Sequence, residues 1–97
     1  MQETDYLAQV DKGQTALELL ENELLQDALA AIEKEIAAQW LACPARDKEG
    51  KEALWQLAKT AEKFRGILTG YVETGKLAAE QLRRFEKESR LKAIFSR

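Results

Sequence analysis

Side chains able to do covalent or acid–base chemistry are few in this chain, and they are poorly placed for it. Its 97 residues include no histidine and a single cysteine, Cys43. One Cys and no His exclude the familiar zinc sites, every His-based catalytic triad and any internal disulfide. The best carboxylate pair for acid–base work or a Mg²⁺ ion is Asp47 and Glu49, within the run Arg46 to Glu52. Arg46, Lys48 and Lys51 interleave with them, and no pattern gathers carboxylates into a cleft. The run suits a solvated first helical turn, with i,i+4 pairs such as Asp47–Lys51 and Lys48–Glu52. The chain therefore reads as not an enzyme, with no catalytic residue, cofactor or metal assigned.

Binding chemistry is better represented. Arg83, Arg84, Lys87, Arg90 and Lys92 form a candidate basic patch suited to phosphate contacts. Glu80, Glu86 and Glu88 interleave with it, and the only aromatics nearby for base stacking are Phe85 and Phe95. Leu91, Ile94 and Phe95, spaced i, i+3, i+4, form an apolar patch suited to a groove on another protein or another copy. The plain alternative is fraying, or packing onto the chain's own bundle. Trp40 and Trp55 flank a turn, where they either cap the hydrophobic end of a helical hairpin or present a contact surface. Arg46 joins them as a candidate interaction residue at that turn. Gly66 and Gly70 lie in a GxxxG inside a helical stretch, at a cost of roughly 1–2 kcal/mol against alanine. Close approach of another helix, from this chain or a neighbour, would offset that cost.

The element that must position most of these residues runs from Pro44 to Gly75. Gly50, Leu54, Leu57, Ala61, Phe64, Leu68, Tyr71 and Gly75 fall on one line in steps of 4 and 3. That is a heptad seam, a helix signal rather than a strand signal. At about 1.5 Å per residue the helix would be roughly 45 Å long. Its apolar stripe needs cover from the flanking segments. Upstream, Tyr6, Val10, Gly13, Leu17 and Leu20 form one apolar line, and Leu25, Leu29, Ile32, Ile36, Trp40 and Cys43 form another. The one-residue slip in phase between them marks a kink or boundary. Asn22, a favoured N-cap, sits at the slip. A first helix over 1–21 and a second over 23–43 are predicted, with a single bent helix as the alternative and Gly13 as a second candidate break.

Pro44 holds Cys43 out of the α region and ends the second helix. The next helix opens at Pro44 itself or with Asp47 as N-cap. A turn this tight makes the second and central helices antiparallel, pairing Ile36 with the neighbourhood of Leu54 and Leu29 with Ala61. Gly75 is predicted to end the central helix at 44–75, as a left-handed C-terminal glycine, before a basic helix over 77–96. The fold expected is all-α, a single domain built on a long antiparallel helical hairpin with additional N- and C-terminal helices, three to four in all.

The totals agree. Apolar residues make up 45% and charged residues 33%, with five Gly and one Pro, a helix-rich soluble composition. No apolar run approaches the roughly 20 residues that span a bilayer, and the acidic N-terminus lacks a signal-peptide core, so a cytoplasmic, non-membrane protein is expected. Net charge is −2 but uneven: residues 1–43 carry −7, 44–75 carry +1 and 76–97 carry +4. An acidic front and a basic tail would attract, within one molecule or between copies. The alternative is solvated helix faces obeying dipole preferences. So short a helical chain leaves apolar surface uncovered, and a homo-oligomer is expected.

The central stretch also resembles a known group. Trp40, Pro44-Ala45-Arg46-Asp47, Glu49-Gly50, Glu52, Leu54-Trp55, Lys59, Leu68 and Glu73-Thr74-Gly75-Lys76-Leu77-Ala78 are similar to small helical proteins of tailed bacteriophages and prophages, usually encoded among head and packaging genes. The resemblance covers about residues 17–79. Those relatives often carry Thr-Pro where this chain has Cys43-Pro44, and Asn-Pro near Asn22-Glu23, so a capping hydroxyl and a proline are missing here. The resemblance implies a role in virion assembly in the bacterial host cell, with phage structural or packaging proteins as partners and association with the virion as a further implication. It carries over no catalytic residue. Two functions follow as expectations: a non-enzymatic helical interaction and assembly protein, or a nucleic-acid-associated accessory to DNA packaging that uses the basic tail.

Overall fold

A computed structural model describes residues 2–95. The protein is all-α, with α1 at Glu3–Glu21, α2 at Glu23–Ala42 and α3 at Lys48–Phe95. No strand occurs among the described residues.

The boundary at the phase slip is a capped one. Asn22 is extended (φ −69°, ψ 120°), and its side-chain oxygen accepts from Leu25 N at 3.0 Å. That satisfies one of the amides a helix start leaves without a partner. Gln26 Nε2 reaches back to donate to Leu20 O at 2.7 Å, which serves a terminal carbonyl of α1. One residue thus closes one helix and opens the next.

At the second boundary Cys43 is extended (φ −74°, ψ 123°), as a residue before proline must be. Of the two predicted starts for the next helix, Asp47 is the one used. Its Oδ1 accepts from Gly50 N at 2.9 Å, and its carbonyl accepts from Lys51 N at 3.0 Å. A Cβ at Gly50 would collide with the Asp47 carboxylate and lie 3.0 Å from Cys43 Sγ. Asp47 and Gly50 are therefore one device: the cap needs the space that the missing side chain leaves.

Gly75 does not end a helix. The central helix predicted over 44–75 and the basic helix predicted over 77–96 are one helix of 48 residues, so three helices replace the four-helix version of the expectation. The predicted end at residue 96 lies outside the described residues. Among the described residues no glycine has positive φ, so the left-handed cap at Gly75 is absent. Lys76 to Glu80 are mostly good helix formers and supply no other stop. The roughly 1 kcal/mol that an interior glycine costs is offset by packing against α1.

Two compact units result. One comprises Met1–Glu18 and Leu68–Arg97, the other Leu19–Ile67. In the first, Gly13, Ala16, Gly75 and Ala78 are buried. A Cβ on Gly13 would lie 2.8 Å from Tyr71 O and 3.0 Å from Gly75 Cα, so backbone meets backbone here. Tyr6 meets Phe85 at a ring separation of 5.8 Å, and Lys12 Nζ stands 4.1 Å from the Tyr71 ring centroid. Earlier residues of α1 thus face later residues of α3, and the pair is antiparallel.

The second unit is the predicted hairpin of α2 with the start of α3. Lys51 Nζ donates to Trp40 O at 2.5 Å, and Arg65 Nε pairs with Glu33 Oε1 at 2.8 Å. Stepping back along α2 therefore accompanies stepping forward along α3. Leu29 and Leu54 are its buried residues. On the predicted seam Leu57 and Phe64 remain about half exposed, because a single partner helix covers only a narrow stripe.

Candidate protein-interaction site

The hairpin of α2 and α3 leaves an apolar groove on one side. Its lining comes from Ile36, Ala37, Trp40 and Leu41 of α2 and from Leu54, Trp55, Ala58 and Ala61 of α3, around about 670 Å³. At about 100° per residue, Glu33, Ala37 and Leu41 turn to one side of the α2 core line, and Trp55, Ala58 and Glu62 turn to the same side of α3. The alanines fill little of the middle, and the two indoles line the groove near the turn. Trp40 is 42% exposed, Trp55 49% and Leu41 85%. Such large apolar side chains, grouped and open to water, mark a contact surface more often than a core.

Charge frames the groove. Glu33, Glu62 and Arg65 close the end away from the turn. Near the turn, Lys51 Nζ lies 4.1 Å from the Trp40 ring centroid, and Lys59 Nζ lies 5.7 Å from that of Trp55. These cation–π contacts hold the indoles upright at a modest energy, about 0.5–1 kcal/mol at exposed positions. Lys51 also sits at the negative end of the α2 dipole, where its bond to the Trp40 carbonyl serves a terminal acceptor.

The other sequence-predicted site residues fall in different places. Arg46 is exposed in the turn, and its carbonyl accepts from Lys48 N. Gly66 and Gly70 meet no helix: a Cβ on either would have nothing within 4 Å. Within this chain the close approach expected at the GxxxG lies elsewhere. It occurs at Gly13 and Gly75, because those two lie on the facing seams while 66 and 70 turn away from theirs. Sequence reasoning missed this pair although both glycines stood on its apolar lines. The signal was a small residue recurring where the seam demands an apolar one.

The candidate basic patch divides. Arg83, Lys87 and Arg90 align on the side of α3 away from Gly75 and Ala78, with Arg84 beside them. Arg83 and Arg84 pair with Glu80, and Arg90 Nη2 lies 3.9 Å from Glu86 Oε2. Lys92 stands apart, beside Glu3, Phe85, Glu88 and Ser89. The basic stripe runs directly into the exposed apolar triad, with Ile94 65% and Phe95 82% exposed. Among the described residues no three metal-ligating side chains gather where they could hold an ion, and no helix is long and apolar enough to cross a membrane.

Comparison with known proteins gives no match, whether to a family model, a curated protein or a solved structure.

Proposed function

We propose that this chain is a non-enzymatic interaction and assembly protein that works through the apolar side of its α2–α3 hairpin and through self-association. The observation that carries this is the groove walled by Trp40, Trp55 and Leu41, apolar along its length and open to water. A hairpin with two buried leucines has little core of its own, so covering that groove adds stability as well as affinity. The setting is virion assembly of a tailed phage in its bacterial host, with head or packaging proteins as partners. That part rests on the resemblance of the Trp40 to Ala78 motifs.

The test is copurification of the tagged chain with capsid or packaging intermediates from infected cells, with Leu41→Glu as control. The expected result is capture by the parent chain and loss in the variant. Absence of the chain from every particle and intermediate would overturn the assembly role.

A second reading is a nucleic-acid-associated accessory to packaging. It is favoured by the alignment of Arg83, Lys87 and Arg90 on one side of α3, and opposed by Glu80, Glu86 and Glu88, which interleave with them and lower the net charge of the stretch. A salt titration of DNA affinity separates the two: steep loss with added salt supports it, and no binding at about 50–100 mM salt removes it.

A further inference from the structure

The self-association just proposed leaves open which surface meets which, and this chain carries two exposed apolar clusters, one flanked by cations and the other with carboxylates at one end. We propose that the C-terminal turn of α3 from one copy docks in the α2–α3 groove of a second copy, so that the chain associates head to tail.

The donor is Leu91, Ile94 and Phe95, spaced i, i+3, i+4, which is how a helix presents anchors to a groove. Each is exposed, Phe95 to 82%. Lys87 and Arg90 flank them on the same side of the helix. The acceptor offers two half-exposed indoles and Leu41, with Glu33 and Glu62 at the far end, where Glu33 pairs with Arg65 and Glu62 with Lys59 in exposed ion pairs that can exchange. Apolar anchors thus enter an apolar groove while cations approach carboxylates. The helix that supplies one wall, α2, carries Glu23, Asp27, Glu33 and Glu35 against the single cation Lys34, whereas residues 76–97 carry +4.

Groove-to-groove pairing about a two-fold axis would leave the exposed Leu91, Ile94 and Phe95 uncovered. The Arg90–Glu86 and Arg83–Glu80 pairs on the donor do not prevent docking, since exposed ion pairs exchange at little cost. Burying the open parts of both clusters removes roughly 700 Å² of apolar surface, from about 150–250 Å² per large side chain. That falls in the range of weak, reversible contacts, so a micromolar association is expected. A heterologous contact of this kind continues from copy to copy, as a ring or an open chain.

Sedimentation of purified, nuclease-treated protein from tens of micromolar to millimolar concentration tests this with two variants, Leu41→Glu and Phe95→Glu. Leu41 is 85% exposed, and Phe95 is nearly as open, so neither change removes a core contact. Ala58→Glu and Ile94→Glu are the substitutes if circular dichroism shows either variant unfolded. The parent chain is expected to grow in mass with concentration beyond a dimer. Each variant alone is expected to stay monomeric. An equimolar mixture is expected to form a dimer and stop there, because one intact tail then meets one intact groove.

A mixture that stays monomeric overturns the head-to-tail contact. So does Phe95→Glu protein that associates as the parent does, which leaves self-association standing through another surface. Parent protein that is monomeric throughout overturns the self-association of the proposed function as well. Association that disappears on nuclease treatment also overturns the contact and assigns the tail to nucleic acid.

Discussion

The two units of this chain are both antiparallel helix pairs, yet they solve the packing problem in opposite ways. In the unit of α1 with the later part of α3, the buried positions are Gly13, Ala16, Gly75 and Ala78, among the smallest residues available. Contact there is between backbones, and Tyr6 and Phe85 meet further along the pair. In the unit of α2 with the start of α3, the buried positions are Leu29 and Leu54, and the indoles remain half in water. Close approach of helices satisfies the first pair internally. Packing through side chains leaves the second pair with an open apolar groove.

The same substitution should have opposite signs on the tight seam of the first unit and at glycines that face open space. Gly13→Ala is expected to cost the most, about 2 kcal/mol in denaturant unfolding, because the new Cβ would meet backbone atoms that cannot rotate away. Gly75→Ala, with its nearest backbone atoms at 3.0 Å, should cost somewhat less. Near-neutral values at both positions would dissolve the contrast between the units.

The caps come next in size. Asp47→Ala and Asn22→Ala should each lower stability by about 1 kcal/mol, read as a fall in melting temperature of roughly 4–8 °C for a domain of this size. Asp47→Asn, which keeps an acceptor, should recover most of the loss.

Gly66→Ala and Gly70→Ala should each raise stability by about 0.5–1 kcal/mol, since both positions are helical and open. A loss at either position would mean that a second copy approaches closely there, and would move the interface away from the groove. Smallest of all, Glu33→Ala removes an exposed ion pair with Arg65 and should change stability by only a few tenths of a kcal/mol. Its effect should appear in association instead, by weakening docking of the basic tail.

Much of this architecture was legible in the residues alone. The slip in phase from the line through Leu20 to the line through Leu25 located the α1–α2 boundary, and Asn22 caps α2 there. Cys43-Pro44 and Asp47 foretold a turn tight enough to force an antiparallel hairpin. Trp40 and Trp55, singled out by residue type, and Leu91, Ile94 and Phe95, singled out by spacing, are all exposed. The Gly13–Gly75 contact was not legible. Neither was the continuation of α3 through Gly75, for the same reason.

The α1–α2 boundary, the caps at Asn22 and Asp47 and the antiparallel α2–α3 turn were determined by the sequence itself, because each depends on residues within a turn or two of one another. Only the tertiary structure decided what the glycines do. A glycine that ends a helix and a glycine that admits a neighbouring backbone look alike until the neighbour is in place, and Gly13 lies far from Gly75 in sequence while its Cα lies 3.0 Å from where a Cβ on Gly75 would be. Which apolar side stays uncovered was likewise decided by packing: the stripe on each helix is local, but the part of it that meets water depends on how much of a partner helix arrives to cover it.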